Sequence, residues 1–251
     1  MKEIIWITGA STGIGKSLAV QLAQHGHTII ASARGEAALK ELSADYSNII
    51  PLPFDVSDNT QIERVKEQLI NQFGYIDRVI INAGTCEYFD VREPDWSIMS
   101  RVMNVNYNGA VNTVAVAMDL LKARPSGADN NPHIVAVVSQ AAFVPFPRAE
   151  AYGASKAAMQ YFMDSLRIDL VDENIDVTVI NPGFIKTPLT DRNDFPMPFL
   201  MSSEQAAMRM VKAIVERKWQ YDFPKRLKWC IKVMGLSRYL WNKVFAPQTK
   251  H

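Results

Sequence analysis

At 251 residues, with 48% hydrophobic and 21% charged side chains, the chain is long enough for one large globular domain with a substantial core. A net charge of only +1 excludes a global attraction to nucleic acid or to acidic partners. Two cysteines, Cys86 and Cys230, stand far apart in no metal-ligand or redox spacing, which fits free thiols, no metal centre and a cytoplasmic setting.

The apolar run IIWI at residues 4–7 stops after four residues at a polar, glycine-bearing turn, so it reads as a strand and not as a signal peptide or membrane span. TGASTGIG follows, then a helical pattern through Leu18, Leu22 and Ala23, then a second strand, HTIIAS, at 27–32. These form one βαβ unit. The alternation continues with strands at 49–54 and 78–82, helices near 60–73 and 95–123, and a strand at 133–139. A helix at about 150–173, a strand at 175–182, a helix near 203–217 and a short strand, QYDF, at 220–223 complete it. Such alternation predicts a mostly parallel sheet with helices on both faces, and ligands then bind outside the carboxyl ends of the strands.

Two connections stand out. The polar loop at 124–132 reads as a surface excursion. The stretch at 186–202 is irregular yet apolar, with three prolines among Phe195, Met197, Phe199, Leu200 and Met201; it reads as a substrate lid, against the plainer reading of a loop packed on the core.

The turn TGASTGIG carries Gly9, Gly13 and Gly15 between strand and helix. Glycine allows positive φ and close approach of a pyrophosphate, and the helix that follows offers free N–H groups and its positive dipole end. Dinucleotide folds place an acid about 20 residues on, to hold the ribose hydroxyls of NAD. Ala33 stands there instead and Arg34 follows it, so no anion repels a 2′-phosphate and a guanidinium can grip one. That pattern predicts NADP(H), with NAD(H) the alternative and a solvated Arg34 the plainer reading.

Tyr-x-x-x-Lys occurs three times, at Tyr152/Lys156, Tyr221/Lys225 and Tyr239/Lys243, so the spacing alone selects nothing. Pro224 inside the second pair disfavours a regular helical turn there. The first pair has company. With TGASTGIG, FDVSD at 54–58, NAG at 82–84, NVNYNG at 104–109, Ser139 lying 13 residues before Tyr152, YGASK at 152–156 and NPGFIKT at 181–187, the chain resembles the short-chain dehydrogenase/reductase superfamily from residue 3 to about 220.

The resemblance implies a Rossmann-type doubly wound parallel sheet of about seven strands in one α/β domain, and NAD(P)-dependent CH–OH/C=O chemistry. It implies that Tyr152 is the general acid/base, that Lys156 favours the phenolate and holds the nicotinamide ribose, and that Ser139 bonds the substrate oxygen. Asn106 matches the family's helix-bending asparagine, which positions a lysine-bound water for proton relay. The cofactor would lie along Gly9, Ser11, Thr12, Gly13, Ile14 and Gly15, with Arg34 at its far end. The adenine end would meet Asp55, Val56 and the Asn82, Ala83, Gly84 turn; the nicotinamide end would meet Pro182, Gly183, Ile185 and Thr187. A homodimer or homotetramer using the helices near 105–123 and 150–173 is also implied.

Candidate substrate walls are Gln140, Ala141, Phe146, Phe184, Met197 and Phe199, with Cys86 and Tyr88 beside them. This set predicts an apolar ketone, aldehyde or secondary alcohol, although Arg148 and Arg192 leave room for an anionic one. NAD-linked alcohol oxidation is the runner-up. A nucleotide-binding sensor without chemistry is the other class, disfavoured because Tyr152 and Lys156 are both present.

The catalytic domain is read as residues 1–223 and a basic amphipathic extension as 224–251. From Pro224 on there are seven Lys or Arg and no acid, leaving 20 basic against 26 acidic side chains in the first 223 residues. The extension could lie on an anionic membrane, cap a neighbouring subunit, or pack on its own core.

Overall fold

The structure, a computed structural model, describes residues 2–125, 127, 130–237 and 241–245. Tyr239 and the basic residues Arg238 and Lys250 of the extension lie outside them. Seven parallel strands form the main sheet: β1 (Ile4–Thr8), β2 (Thr28–Ser32), β3 (Ile49–Pro51), β4 (Arg78–Ile81), β5 (His133–Val137), β6 (Asp176–Pro182) and, after two short strands outside the sheet, β9 (Gln220–Phe223). Their spatial order is β3-β2-β1-β4-β5-β6-β9, so chain direction reverses across the sheet between β1 and β4, the switch point at which such folds open a crevice.

Alternation within the strands assigns the two faces. Trp6 packs on one side with α3 (Ile62–Phe73), α5 (Gly109–Lys122) and α6 (Glu150–Asp169), through Val65, Leu69, Leu120, Met159 and Met163. Its neighbours Ile5 and Ile7 pack on the other, with α1 (Gly13–Gln24), α2 (Glu36–Asp45) and α7 (Ser203–Val215), through Leu18, Leu22, Leu39 and Met210. A strand buried on both faces needs apolar residues at every position, which is why β1, β2 and β4 read as continuous apolar runs.

The expected elements are present with three differences. The helix α2, in a stretch without a clear sequence pattern, rests on Leu39 and Leu42, only two buried side chains. The expected strand at 49–54 ends at Pro51, because Pro51 and Pro53 have no N–H to donate; Leu52 and Phe54 still donate to Ala31 and Ala33 at 2.8 and 3.1 Å. The helical stretch at 95–123 is broken into α4 (Ser97–Met103), a π-helical turn at Asn104–Asn108, and α5. The wider turn brings Asn106 inward until it is fully buried.

The stretch at 186–202 is pinned at both ends. The strand β7 (Ile185–Lys186) pairs in parallel with β8 (Met201–Ser202), outside the main sheet. Inside the loop, Thr190 Oγ1 donates to the Ile185 carbonyl at 2.7 Å and accepts from the Thr187 N–H at 2.9 Å. After β9, helix α8 (Lys225–Met234) buries Leu227 and Ile231. Tyr221 therefore lies on a strand and Lys225 on a helix, and that pair forms no helical turn. Farther on, Trp241 is buried, packs edge-on against Phe146 and donates its indole N–H to the Pro145 carbonyl. Among the described residues no helix is long and apolar enough to cross a membrane, and no three His, Cys, Asp or Glu converge as metal ligands.

Candidate active site

A cavity of about 790 Å³ opens at the carboxyl ends of the strands, across the switch point. One wall is the turn after β1. Gly9 and Gly13 adopt φ of +69° and +54°, conformations that favour glycine. A Cβ on Gly9 would stand 2.8 Å from Ala83 Cα, and one on Gly13 would stand 2.9 Å from Thr187 Cγ2. Gly15 faces away from the cavity: its Cβ would fall 2.1 Å from the Gly9 carbonyl oxygen, so this glycine lets α1 press onto β1. The turn is held from the neighbouring strand. Asn82 Nδ2 donates to the carbonyls of Thr8 and Gly9, both at 3.1 Å, and the Asn82 N–H donates to Thr8 Oγ1 at 3.1 Å.

The N-cap of α1, Thr12, makes no side-chain hydrogen bond into the helix, which leaves first-turn N–H groups for a ligand anion. Ser11, Thr12, Ile14, Arg34, Asp55, Val56, Asn82, Ala83 and Gly84 all line this end. Arg34 forms no hydrogen bond or ion pair among the described residues. Asp55 is fixed by the Ser57 N–H at 2.9 Å and hydroxyl at 2.6 Å. At the opposite end Pro182, Gly183, Ile185 and Thr187 line the cavity. An unsatisfied helix terminus, a glycine turn without room for side chains and an unpaired guanidinium fit a phosphate-bearing dinucleotide.

Ser139, Tyr152 and Lys156 line the same cavity. Ser139 sits just past β5; its Oγ accepts the Ala141 N–H at 3.1 Å, so it also caps the short turn at Gln140–Ala142. Tyr152 and Lys156 lie one turn apart on α6. Burial pushes the Tyr152 phenol up to about 12, against a hydrogen bond with Ser139 that lowers it. Burial likewise lowers the Lys156 ammonium to about 8; its Nζ donates to the Val137 carbonyl at 3.0 Å. The Cys86 thiol, near both, is pushed up to about 11 by burial and stays protonated at neutral pH.

Asn106 stands behind the cavity wall. Its Oδ1 accepts the Thr85 N–H at 2.7 Å, and its Nδ2 donates to the Thr85 carbonyl and to Ser155 Oγ, both at 2.9 Å. Ser155 in turn donates to the Tyr152 carbonyl at 2.8 Å. The buried amide thus ties the turn after β4 to the helix bearing Tyr152, with both of its hydrogens committed.

The six candidate substrate residues do not line this cavity. Gln140 is 2% exposed and donates to the Phe223 carbonyl at 2.9 Å, so its side chain belongs to the core. Ala141 follows in the same short turn. Phe146 packs on Trp241 and Phe184 on Phe195; Met197 Sδ lies 3.2 Å from Asn193 Nδ2, and Phe199 is 44% exposed with φ +61°. Phe195 also meets Tyr88 edge-on, and the Tyr88 hydroxyl donates to Asn193 Oδ1 at 2.5 Å. Arg148 lies over the Tyr88 ring and pairs with Asp194. Tyr88, Asn193 and Phe195 thus latch the loop at 186–202. Leu189, Thr190 and Arg192 of that loop line the cavity, as does Arg101, which has no sequence signal; Arg101 is paired with Glu87 and Asp95, whereas Arg192 has no such partner among the described residues.

The short chain dehydrogenase family model matches residues 3–196. An uncharacterized oxidoreductase of Myxococcus xanthus is 35% identical over 88% of this chain and 87% of its own. The 11-beta-hydroxysteroid dehydrogenase A of Sesamum indicum is 31% identical over 75% of this chain, which spans 54% of that protein. Among solved structures, the Pseudomonas aeruginosa RhlG/NADP active-site complex superposes with a TM-score of 0.69 at 29% identity, covering 75% of both chains. The glycine turn, the Ser139, Tyr152 and Lys156 wall and these likenesses agree: the chain belongs to the short chain dehydrogenase family and is an NAD(P)-dependent oxidoreductase.

Proposed function

We propose that the protein is an NADP(H)-dependent reductase of an apolar ketone or aldehyde, run in reverse as a secondary-alcohol dehydrogenase. The observation that carries this is the shared cavity, with Arg34 and the glycine turn at one end and Ser139, Tyr152 and Lys156 at the other. Bound nicotinamide supplies or accepts the hydride. Tyr152, protonated at neutral pH, donates its phenolic proton to the carbonyl oxygen as that oxygen gains charge. Ser139 offers a second hydrogen bond to the same oxygen, and Lys156, cationic below pH about 8, favours the phenolate left behind. Asn106 is a positioning residue, fixing α6 against the turn after β4.

Reduction suits a phenol with a raised pKa, because an acid must hold its proton until the oxygen needs it; oxidation would need the phenolate. Unpaired Arg34 supports a 2′-phosphate over a bare ribose. Leu189 at the cavity, on a loop backed by the rings of Tyr88, Phe184 and Phe195, supports an apolar substrate, and the sesame relative is named for a hydroxysteroid. Self-association is proposed through α6, whose Tyr161 and Ile168 are 79% and 74% exposed; sedimentation velocity yielding only monomer overturns it.

The deciding experiment is Tyr152→Phe with NADPH oxidation followed over a panel of carbonyl compounds of graded length and ring size. Turnover is expected to fall about 10³-fold while NADPH still binds. Substantial retained turnover refutes the role of Tyr152.

A further inference from the structure

We infer that the outward face of α8 is a docking surface for an anionic membrane. The helix presents three stripes. Leu227 and Ile231, four residues apart, are 7% and 3% exposed and pack inward. On the far side Trp229 and Val233 are each 60% exposed, and Leu236, just past the helix, is 81% exposed. Between them run Lys225, Lys228 and Lys232, at i, i+3 and i+7. A helix with one face satisfied by its own core and a second apolar face left in water, flanked by lysines, has the make-up of an interfacial helix. Indole rings and lysine stems favour the boundary between headgroups and acyl chains.

The lysine stripe also has a cavity. About 350 Å³ lies between α8 and the edge strand β9, lined by Lys218, Lys225, Lys228, Lys232, Tyr221 and Trp229. Its one acid, Asp222, is turned inward, accepting from Asn181 and Gln220 at 2.9 Å each and pairing with Lys228 at 2.6 Å. Lys218 pairs with Glu216 at 2.8 Å. Lys225 and Lys232 have no acidic partner among the described residues, and α8 carries no acid in its first turn. This concave site suits a phosphate headgroup, taken up as the apolar residues beside it enter the lipid.

Charge argues for the membrane over a second copy. An isologous contact through α8 would set this lysine stripe against itself, and like charges repel at close range. The rest of the chain is acidic: 26 acids against 20 basic residues up to Phe223. Attraction to an anionic surface is therefore confined to the extension and orients the molecule on it. Leu227, inward on the same helix, packs against Gly183, beside the cavity-lining Pro182, so the docked helix adjoins the nicotinamide end of the active site.

The test is flotation of the full chain with vesicles of phosphatidylcholine alone and of phosphatidylcholine mixed with phosphatidylglycerol. Binding is expected only to the anionic vesicles and is expected to weaken with added salt. Lys225→Gln and Lys232→Gln should each lower vesicle affinity about fivefold, and Trp229→Ser should lower it too, while NADPH binding stays at wild-type strength and reports intact folding. Absence of binding, equal binding to neutral vesicles, or wild-type binding by all three variants overturns the inference. So does a loss of self-association in these variants, by sedimentation velocity, without a change in flotation: that result assigns the face to a second copy.

Discussion

At the end of β1 the cavity wall is backbone: Gly9 and Gly13 at positive φ, the uncapped first turn of α1, and Asn82 holding the Thr8 and Gly9 carbonyls. Across the cavity, beyond Tyr152, side chains from distant segments line it: Leu189, Thr190, Arg192 and Arg101; the loop that bears the first three is held by Tyr88 on Asn193 and Phe195 and by Phe184 on Phe195. The first region suits a group common to all dinucleotides, and backbone amides suffice for that. Selecting one substrate requires a shape, which side chains from several loops can supply.

If the cofactor end tolerates no atoms where the substrate end does, one substitution should have opposite effects in the two. Gly15→Ala puts a Cβ 2.1 Å from a backbone oxygen that cannot move aside, whereas Gly153→Ala, on α6, meets only the Ala141 carbonyl at 3.5 Å. The first should cost about 3 kcal/mol, a Tm fall of roughly 6–12 °C; the second should gain up to about 1 kcal/mol from helix propensity. Equal Tm shifts in thermal melts would erase the contrast. A smaller effect is expected at Arg34: Arg34→Ala should weaken NADPH about 10–100-fold and leave NADH unchanged, in fluorescence titrations with each. Equal losses would remove the 2′-phosphate assignment. Smallest is Tyr88→Phe, which keeps the ring contacts and deletes the bond to Asn193. KM for the carbonyl substrate should shift roughly fivefold with NADPH affinity constant. A parallel loss of NADPH affinity in steady-state and binding assays would show that the two ends are not independent.

This contrast also explains what can be read from the amino-acid sequence. Glycines at fixed offsets are a local pattern, whereas Tyr152 and Lys156, one turn apart, stand out from two other pairs of the same spacing only by the motifs around them; the structure brings the turn and this pair to one cavity. Asn106 is legible as well, but its bonds to Thr85 and Ser155 depend on the π-helical turn, where a residue count of 3.6 per turn fails. The six candidate substrate residues share only a position close in sequence to Ser139 or in or beside the loop, which says nothing about the direction of a side chain. Gln140 sits directly after Ser139 and yet faces the core, because alternation past a strand end is no longer set by the sheet. The two-residue strands β7 and β8 carry no periodicity to detect. Helix α2, with only Leu39 and Leu42 buried, gives a signal nearly as faint.

That two-residue ladder has a consequence for how such an enzyme can diversify. With Ile185 and Lys186 paired to Met201 and Ser202, the intervening segment is a closed loop whose ends are the same whatever lies between them. Doubling its length would cost only about 0.6 kcal/mol in closure entropy. Its length and lining are therefore interchangeable parts, and a segment transplanted between the same two anchors could change which substrates enter while leaving the glycine turn and Tyr152 in place.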